Sequence, residues 1–277
     1  MAFLVPFART ARPLAWRNAI RKRRHSAVAE PAEESPTLLD VREAILRREA
    51  VWGFTPQSID DEVLQDILAL TQRAPSGYNV QPWTVIVVRD AAIREELSTA
   101  MLGGNARRVL EAPVTAVFCA DLEPSRRVPR LIELQRANGV PEEVVARLPY
   151  AVSIFGGEGR VAGVLKRVVS EAGSPLRPMP SISSTEAWSY KNTMLAAQNF
   201  MLAAQAHGVD TCPMEGLDAR RVRHALSIPE RYGVPLAVAA GYAAPEQRPR
   251  VRSARFPPEE VCFLDAFGEP FPGVRKL

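Results

Sequence analysis

Arg73–Trp83 reads RAPSGYNVQPW. Pro75, Ser76, Gly77, Asn79, Gln81 and Pro82 crowd between a helical apolar pattern and the run WTVIVV, Trp83–Val88, where a turn needs only one or two such residues. Two readings are open: Ser76 and Asn79 satisfy backbone groups of an irregular turn, or hydroxyl and amide groups are gathered to meet something flat and polar.

The surroundings of this loop set the fold class. Upstream, Thr37 with Asp40 and Ser58 with Asp61 have capping-box spacing. Leu38, Val41 and Ile45 follow the first pair at helical intervals, and Val63, Ile67 and Leu68 the second, so two helices precede the loop. Downstream, WTVIVV, VTAVFCA from Val114 and VPLAVAAGY from Val234 are β-branched and continuous, as buried strands are. Glu186–His207 is the longest helical stretch and is apolar nearly all round, which suits a core or a subunit interface. Helical patterns also cover Leu131–Asn138 and Pro141–Leu148, before the FGGEG and GSPLRPMPSISS stretches that end at Ser184. FGGEG lacks the GK[ST] ending of a phosphate loop. Strands separated by helices, without an internal repeat, predict an α/β or α+β layer fold.

Composition narrows the function classes. The 277 residues are 47% apolar and 24% charged, enough for a substantial core. No apolar run reaches the length of a membrane span, so no transmembrane segment is expected. Cys119, Cys212 and Cys262 lie far apart, which argues against a disulfide framework and a cysteine metal site; no metal is expected. Residues 1–29 hold seven basic residues and no acid, and the remainder carries 28 basic and 31 acidic residues. Such an Arg-rich, acid-free head has the composition of a transit peptide, mitochondrial rather than plastid because Arg dominates over Ser. RKRRH would equally suit a basic tail on nucleic acid or acidic lipid, but the scattered basic residues of the body predict no nucleic-acid partner. EPAEESP, residues 30–36, reads as a linker, so residues 1–36 form the basic segment and residues 37–277 the folded domain.

Two further stretches stand out beside the loop: CPMEGLD, Cys212–Asp218, and RPRVRSAR, Arg248–Arg255. Singly, the first reads as a strand-to-helix turn with Asp218 as N-cap, and the second as a solvated surface. Together with APSGYNVQPW, AAQNFMLAAQAHGV and AVAAGY, in this order and at this spacing, they make residues from about 38 to the end resemble the nitroreductase family. The resemblance implies an α+β, nitroreductase-like mixed-sheet sandwich with flanking helices, paired as a homodimer with FMN at each of two interface clefts. It implies that Pro75, Ser76 and Asn79 touch the cofactor, with Gln81 either joining them or, like Trp83, holding the loop to the core. Glu215 and Gly216 match the pair near flavin N5, Arg48 the early phosphate cation, and Arg252, or its neighbours Arg250 and Arg255, the late one.

The implied activity is an NAD(P)H-dependent FMN oxidoreductase. Hydride from NADH or NADPH passes through flavin N5 to a nitroaromatic, quinone or similar acceptor by ping-pong, with no catalytic acid or base side chain. His207 falls at a helix end and His224 in a charged helix face. The stretch RREAVWGF, Arg47–Phe54, departs from the family pattern: Glu49 stands for a base, Ala50 for a hydroxyl and Trp52 for a second cation. A carboxylate beside a phosphate is unfavourable. The alternative is therefore a nitroreductase-like structural subunit of a larger mitochondrial assembly, with impaired or absent flavin chemistry.

Overall fold

All eight residues of Val114–Asp121 are buried, as a continuous apolar run requires when a strand is covered on both faces. The computed structural model describes residues 38–155, 158 and 160–276. The basic segment and its linker lie outside the described residues, as do Gly156, Gly157 and Gly159 of FGGEG. The elements are α1 (Val41–Arg47), α2 (Asp61–Thr71), β1 (Trp83–Val88), α3 (Ala91–Ser98), α4 (Asn105–Glu111), β2 (Val114–Asp121), α5 (Val128–Ala137), α6 (Glu142–Val145) and α7 (Leu148–Phe155). They continue with α8 (Arg160–Gly173), α9 (Thr185–Ala206), β3 (Asp210–Met214), α10 (Ala219–Ala225), β4 (Tyr232–Gly241) and α11 (Pro258–Val261).

The strands form one sheet in the order β1-β2-β4-β3, and every ladder is antiparallel. The parallel part of the mixed sheet implied by the resemblance is confined, among the described residues, to the bridge between Ala50 and Thr211. That bridge lays residues 50–52 beside the start of β3. Alternation along β2 divides the core. Val114, Ala116 and Phe118 face a layer built on Ala196, Ala197, Phe200 and Ala204 of α9 with Leu64 and Ile67 of α2. Val117 and Cys119 face Leu97, Val109, Val222 and Met214. Phe118 meets Phe200 edge to face at 5.8 Å, and burial of each such ring contributes about 1.5–3 kcal/mol.

Four local expectations are corrected. The cap of α1 is Asp40, whose carboxylate accepts from the Glu43 N–H, Thr37 lying outside the described residues; α2 starts at Asp61 after Asp60, without a side-chain cap bond from Ser58. Leu38, Val41 and Ile45 point outward instead of into the core, with Val41 73% exposed. CPMEGLD begins inside a strand: Pro213 lies on β3, which tolerates proline because it is the sheet edge and one side of its backbone needs no partner. Finally, α8 occupies a stretch with no element assigned from sequence. The long helix, α9, runs as expected, with the Ser184 hydroxyl accepting from the Ala187 N–H.

Candidate functional site

The loop before β1 is held in an unusual backbone. Tyr78, Asn79 and Gln81 have φ of 55°, 56° and 50°, the left-handed region, which for side chains other than Asn costs on the order of 1–3 kcal/mol each. Several bonds secure it. The Gly77 N–H donates to Asn192 Oδ1 at 2.9 Å, the Gln81 N–H to Ser76 Oγ at 2.9 Å, and Gln81 Nε2 to the Asn79 carbonyl at 3.1 Å. Arg127 donates to the Gln81 carbonyl at 3.0 Å while its Nε donates to the fully buried Asp121 carboxylate at 2.8 Å. Val80 and Trp83 are buried, the first under α5 to α7 and the second in the sheet core. Ser76 and Gln81 thus brace the loop, and the Asn79 and Pro75 side chains are exposed beside them.

A second group gathers where β3 ends. The Gly216 carbonyl accepts from the Leu102 N–H at 2.9 Å and from Asn105 Nδ2 at 3.0 Å. Arg108 then donates to Asn105 Oδ1 at 2.7 Å, and its Nε is buried without a partner among the described residues. The N–H groups of Glu215 and Gly216 likewise have no acceptor among the described residues. Cys212 lies nearby, its thiol pushed up by burial and drawn partly back by Arg108. Asn105 and Arg108 were not singled out from sequence, since NARR on a short helix carries no turn or glycine signal.

The cationic side is more ordered than the sequence suggested. Arg248, which the resemblance does not point to, donates to Asp210 Oδ2 at 2.7 Å and lies 3.7 Å from Glu49 Oε1. Glu49 therefore faces a cation of its own chain. Arg48 caps α1 and is half-buried, whereas Arg250 and Arg252 are exposed and Arg255 donates to the carbonyls of Ser253 and Ala254. Arg48 and Arg252 have no ion-pair partner among the described residues. His207 is tied to Asp66 at 2.8 Å and His224 lies 3.9 Å from Glu96, so neither histidine belongs to these groups.

The two groups do not meet within one chain. Strands β1 and β3 are the outer edges, about 14 Å apart across three strand spacings, and the groups also lean on opposite sheet faces, through Asn192 of α9 and through α4. Arginines without an ion-pair partner among the described residues, free backbone N–H groups and an amide-bearing loop fit the phosphate and polar edge of a flavin mononucleotide. The buried, unpartnered Nε of Arg108 adds a donor awaiting an acceptor.

A helix-flanked antiparallel sheet with such a divided donor set defines a class of layered α+β proteins, and comparison with known proteins identifies the family. The description "Nitroreductase family" matches residues 45–147 and 181–242. A protein of Thermus thermophilus named NADH dehydrogenase is 30% identical over 229 residues, covering 83% of this chain and 98% of the relative. The chain belongs to the nitroreductase family. Among solved structures, a nitroreductase family protein from Streptococcus pneumoniae superposes with a TM-score of 0.64 at 24% identity, covering 80% of this chain and 98% of its own. A proposed nitroreductase from Exiguobacterium sibiricum, solved in complex with FMN, gives 0.62 at 20% identity, covering 80% and 96%. These two share the fold.

Proposed function

We propose that the chain is an FMN-dependent oxidoreductase that moves hydride from NADH or NADPH to a nitroaromatic, quinone or similar acceptor, acting as a homodimer. The observation that carries this reading is the donor set around Gly216: free N–H groups at Glu215 and Gly216 beside an arginine with a buried, unpartnered Nε. Family membership and the FMN complex of the Exiguobacterium protein support it.

Bound FMN would supply a two-electron carrier between nicotinamide and acceptor. The chain's own residues hold and orient. Arg48, Arg108 and Arg252 would meet the phosphate, with Arg250 and Arg255 in the same stretch; Pro75 and Asn79 would meet the ring, with Ser76 and Gln81 fixing their loop. The Glu215 and Gly216 N–H groups would donate to the ring's polar edge. Because the loop and the Gly216 group occupy opposite edges and faces of one sheet, a cleft that uses both draws on two copies. The outward Leu38, Val41 and Ile45 supply apolar surface for that pairing. Donor and acceptor would share one binding face, giving ping-pong kinetics.

The test is flavin content and turnover. Purified protein should absorb as a flavoprotein near one equivalent per chain, take up FMN as apo-protein, and be bleached anaerobically by NADH or NADPH. Colourless protein that takes up no FMN would overturn the proposal. Glu49 and Trp52 favour a second reading, a structural subunit of a larger mitochondrial assembly, and the same titration separates the two. Glu49→Gln, by removing a negative charge from this side while Arg248 stays on Asp210, is expected to tighten FMN by about 1 kcal/mol, roughly fivefold; unchanged affinity would mean that this carboxylate does not act on the phosphate. We assign residues 1–36 to mitochondrial targeting, and a reporter carrying them that remained in the cytosol would refute that.

A further inference from the structure

Helix α8 is turned inside out. Its polar side chains are tied back to neighbouring segments: Lys166 Nζ donates to the Ser153 carbonyl at 2.7 Å, the exposed Arg167 through Nε to the Ile182 carbonyl at 3.2 Å, and the buried Ser170 Oγ to the Pro180 carbonyl. Gly173 rests beside Met179. Its apolar side faces out, with Val164, Leu165, Val168 and Val169 each more than half exposed and Leu176 just beyond at 89%. Those positions are spaced i, i+1, i+4 and i+5, one continuous stripe. Surface helices normally present the opposite arrangement.

Three observations indicate what covers the stripe. First, its charge: residues 147–177 contain five basic residues and two acidic ones, and one of the acids, Glu158, accepts from the N–H and hydroxyl of Ser125. The carbonyl partners of Lys166 and Arg167 leave their charges unneutralised, so the stripe is flanked by net positive potential. Second, its size: a 14-residue helix is about 21 Å long and about 10 Å wide, so its outward face offers roughly 200 Å2, against about 800 Å2 per partner in a stable protein interface. Two copies of this patch would also oppose like charges. Third, its place: residues 148–180 fall between the two segments matched to the family, so α8 lies outside the matched part of the chain and follows α7, which packs against the Gly77–Asn79 turn.

We propose that α8 docks this protein on an anionic lipid bilayer, lying in the headgroup plane with Val164, Leu165, Val168, Val169 and Leu176 toward the acyl chains. Low overall hydrophobicity, a sharply segregated apolar face and basic flanks are the features of an interfacial helix. No helix among the described residues is long and apolar enough to cross a membrane, so the attachment is peripheral.

The experiment is co-sedimentation of the full chain with vesicles of phosphatidylcholine, alone or with phosphatidylglycerol. Binding is expected to the anionic vesicles, weaker in 0.5 M salt, and reduced about tenfold or more by Leu165→Glu with Val168→Glu. Both positions are exposed, so the variant should keep the wild-type melting temperature. It also keeps the basic head: equal vesicle binding by variant and wild type would assign the binding to residues 1–29 and overturn the proposal. Absence of wild-type binding would overturn it as well. A variant whose mass by light scattering fell without lipid would make the stripe a contact between copies and refute it too.

Discussion

At the scale of single residues, the carbonyl of Gly216 decides how Asn105 and Arg108 are held. A Cβ at 216 would fall 2.9 Å from Asn105 Nδ2, so Gly216→Ala must displace the amide that orients Arg108. The expected result is a fall in FMN affinity of about tenfold with little change in melting temperature, read by flavin fluorescence titration. The cysteines give a pH-dependent counterpart. Burial pushes the Cys119 thiol up to about 12, whereas in the unfolded chain it ionises near 9. Between these values only the unfolded state releases the proton, so Cys119 favours unfolding as pH rises from about 9 toward 12 and is neutral below that window. Titration with a thiol reagent at pH 8 should modify Cys262, which is partly exposed, and leave Cys119 unreacted until the protein is denatured. Residue types explain what was legible: the loop declared itself through prolines, glycine and amides, but Arg248 could not be told from Arg250 or Arg252, because its role depends on Asp210, 38 positions away.

At the scale of elements, the contact between the end of β4 and the chain before β2 tolerates almost no added volume. A Cβ on Gly241 would lie 2.6 Å from Pro113 Cδ and 3.1 Å from the Phe54 ring. Proline cannot swing aside, so Gly241→Ala is expected to destabilise the protein by about 1–3 kcal/mol, measured by urea denaturation, with an unchanged m-value. The buried strands and α9 were readable because their side-chain patterns are set by burial alone. Strand β3 was not, since its five residues include Pro213 and only its edge position makes that proline acceptable. Helix α8 was missed for another reason: its apolar side faces away from the core against which an amphipathic pattern is ordinarily read.

At the scale of the whole molecule, much apolar surface remains unburied by one chain. Beyond Leu38, Val41 and Ile45, the C-terminal stretch exposes Val251, Phe256 and Phe267, the last at 94%. Val41→Glu is expected to convert a dimer to a monomer in light scattering and to release FMN with it, because the two halves of the cleft then come from separate particles. A monomeric wild type that still held flavin would contradict this. The sequence resemblance made dimerisation expectable, but the placement of the Gly77 loop and the Gly216 group at opposite sheet edges is a property of strand order, which no local pattern encodes. That order also has a kinetic side. The central strand β2 finds one neighbour nearby, yet Val117 pairs on its other side with Ala237, and β4 leaves the ribosome only after α5 to α10 and β3. Until then VTAVFCA has an open edge and an incomplete cover, so the nascent chain passes through a long, aggregation-prone interval in which holdase chaperones would shield it, and folding waits on completion of synthesis.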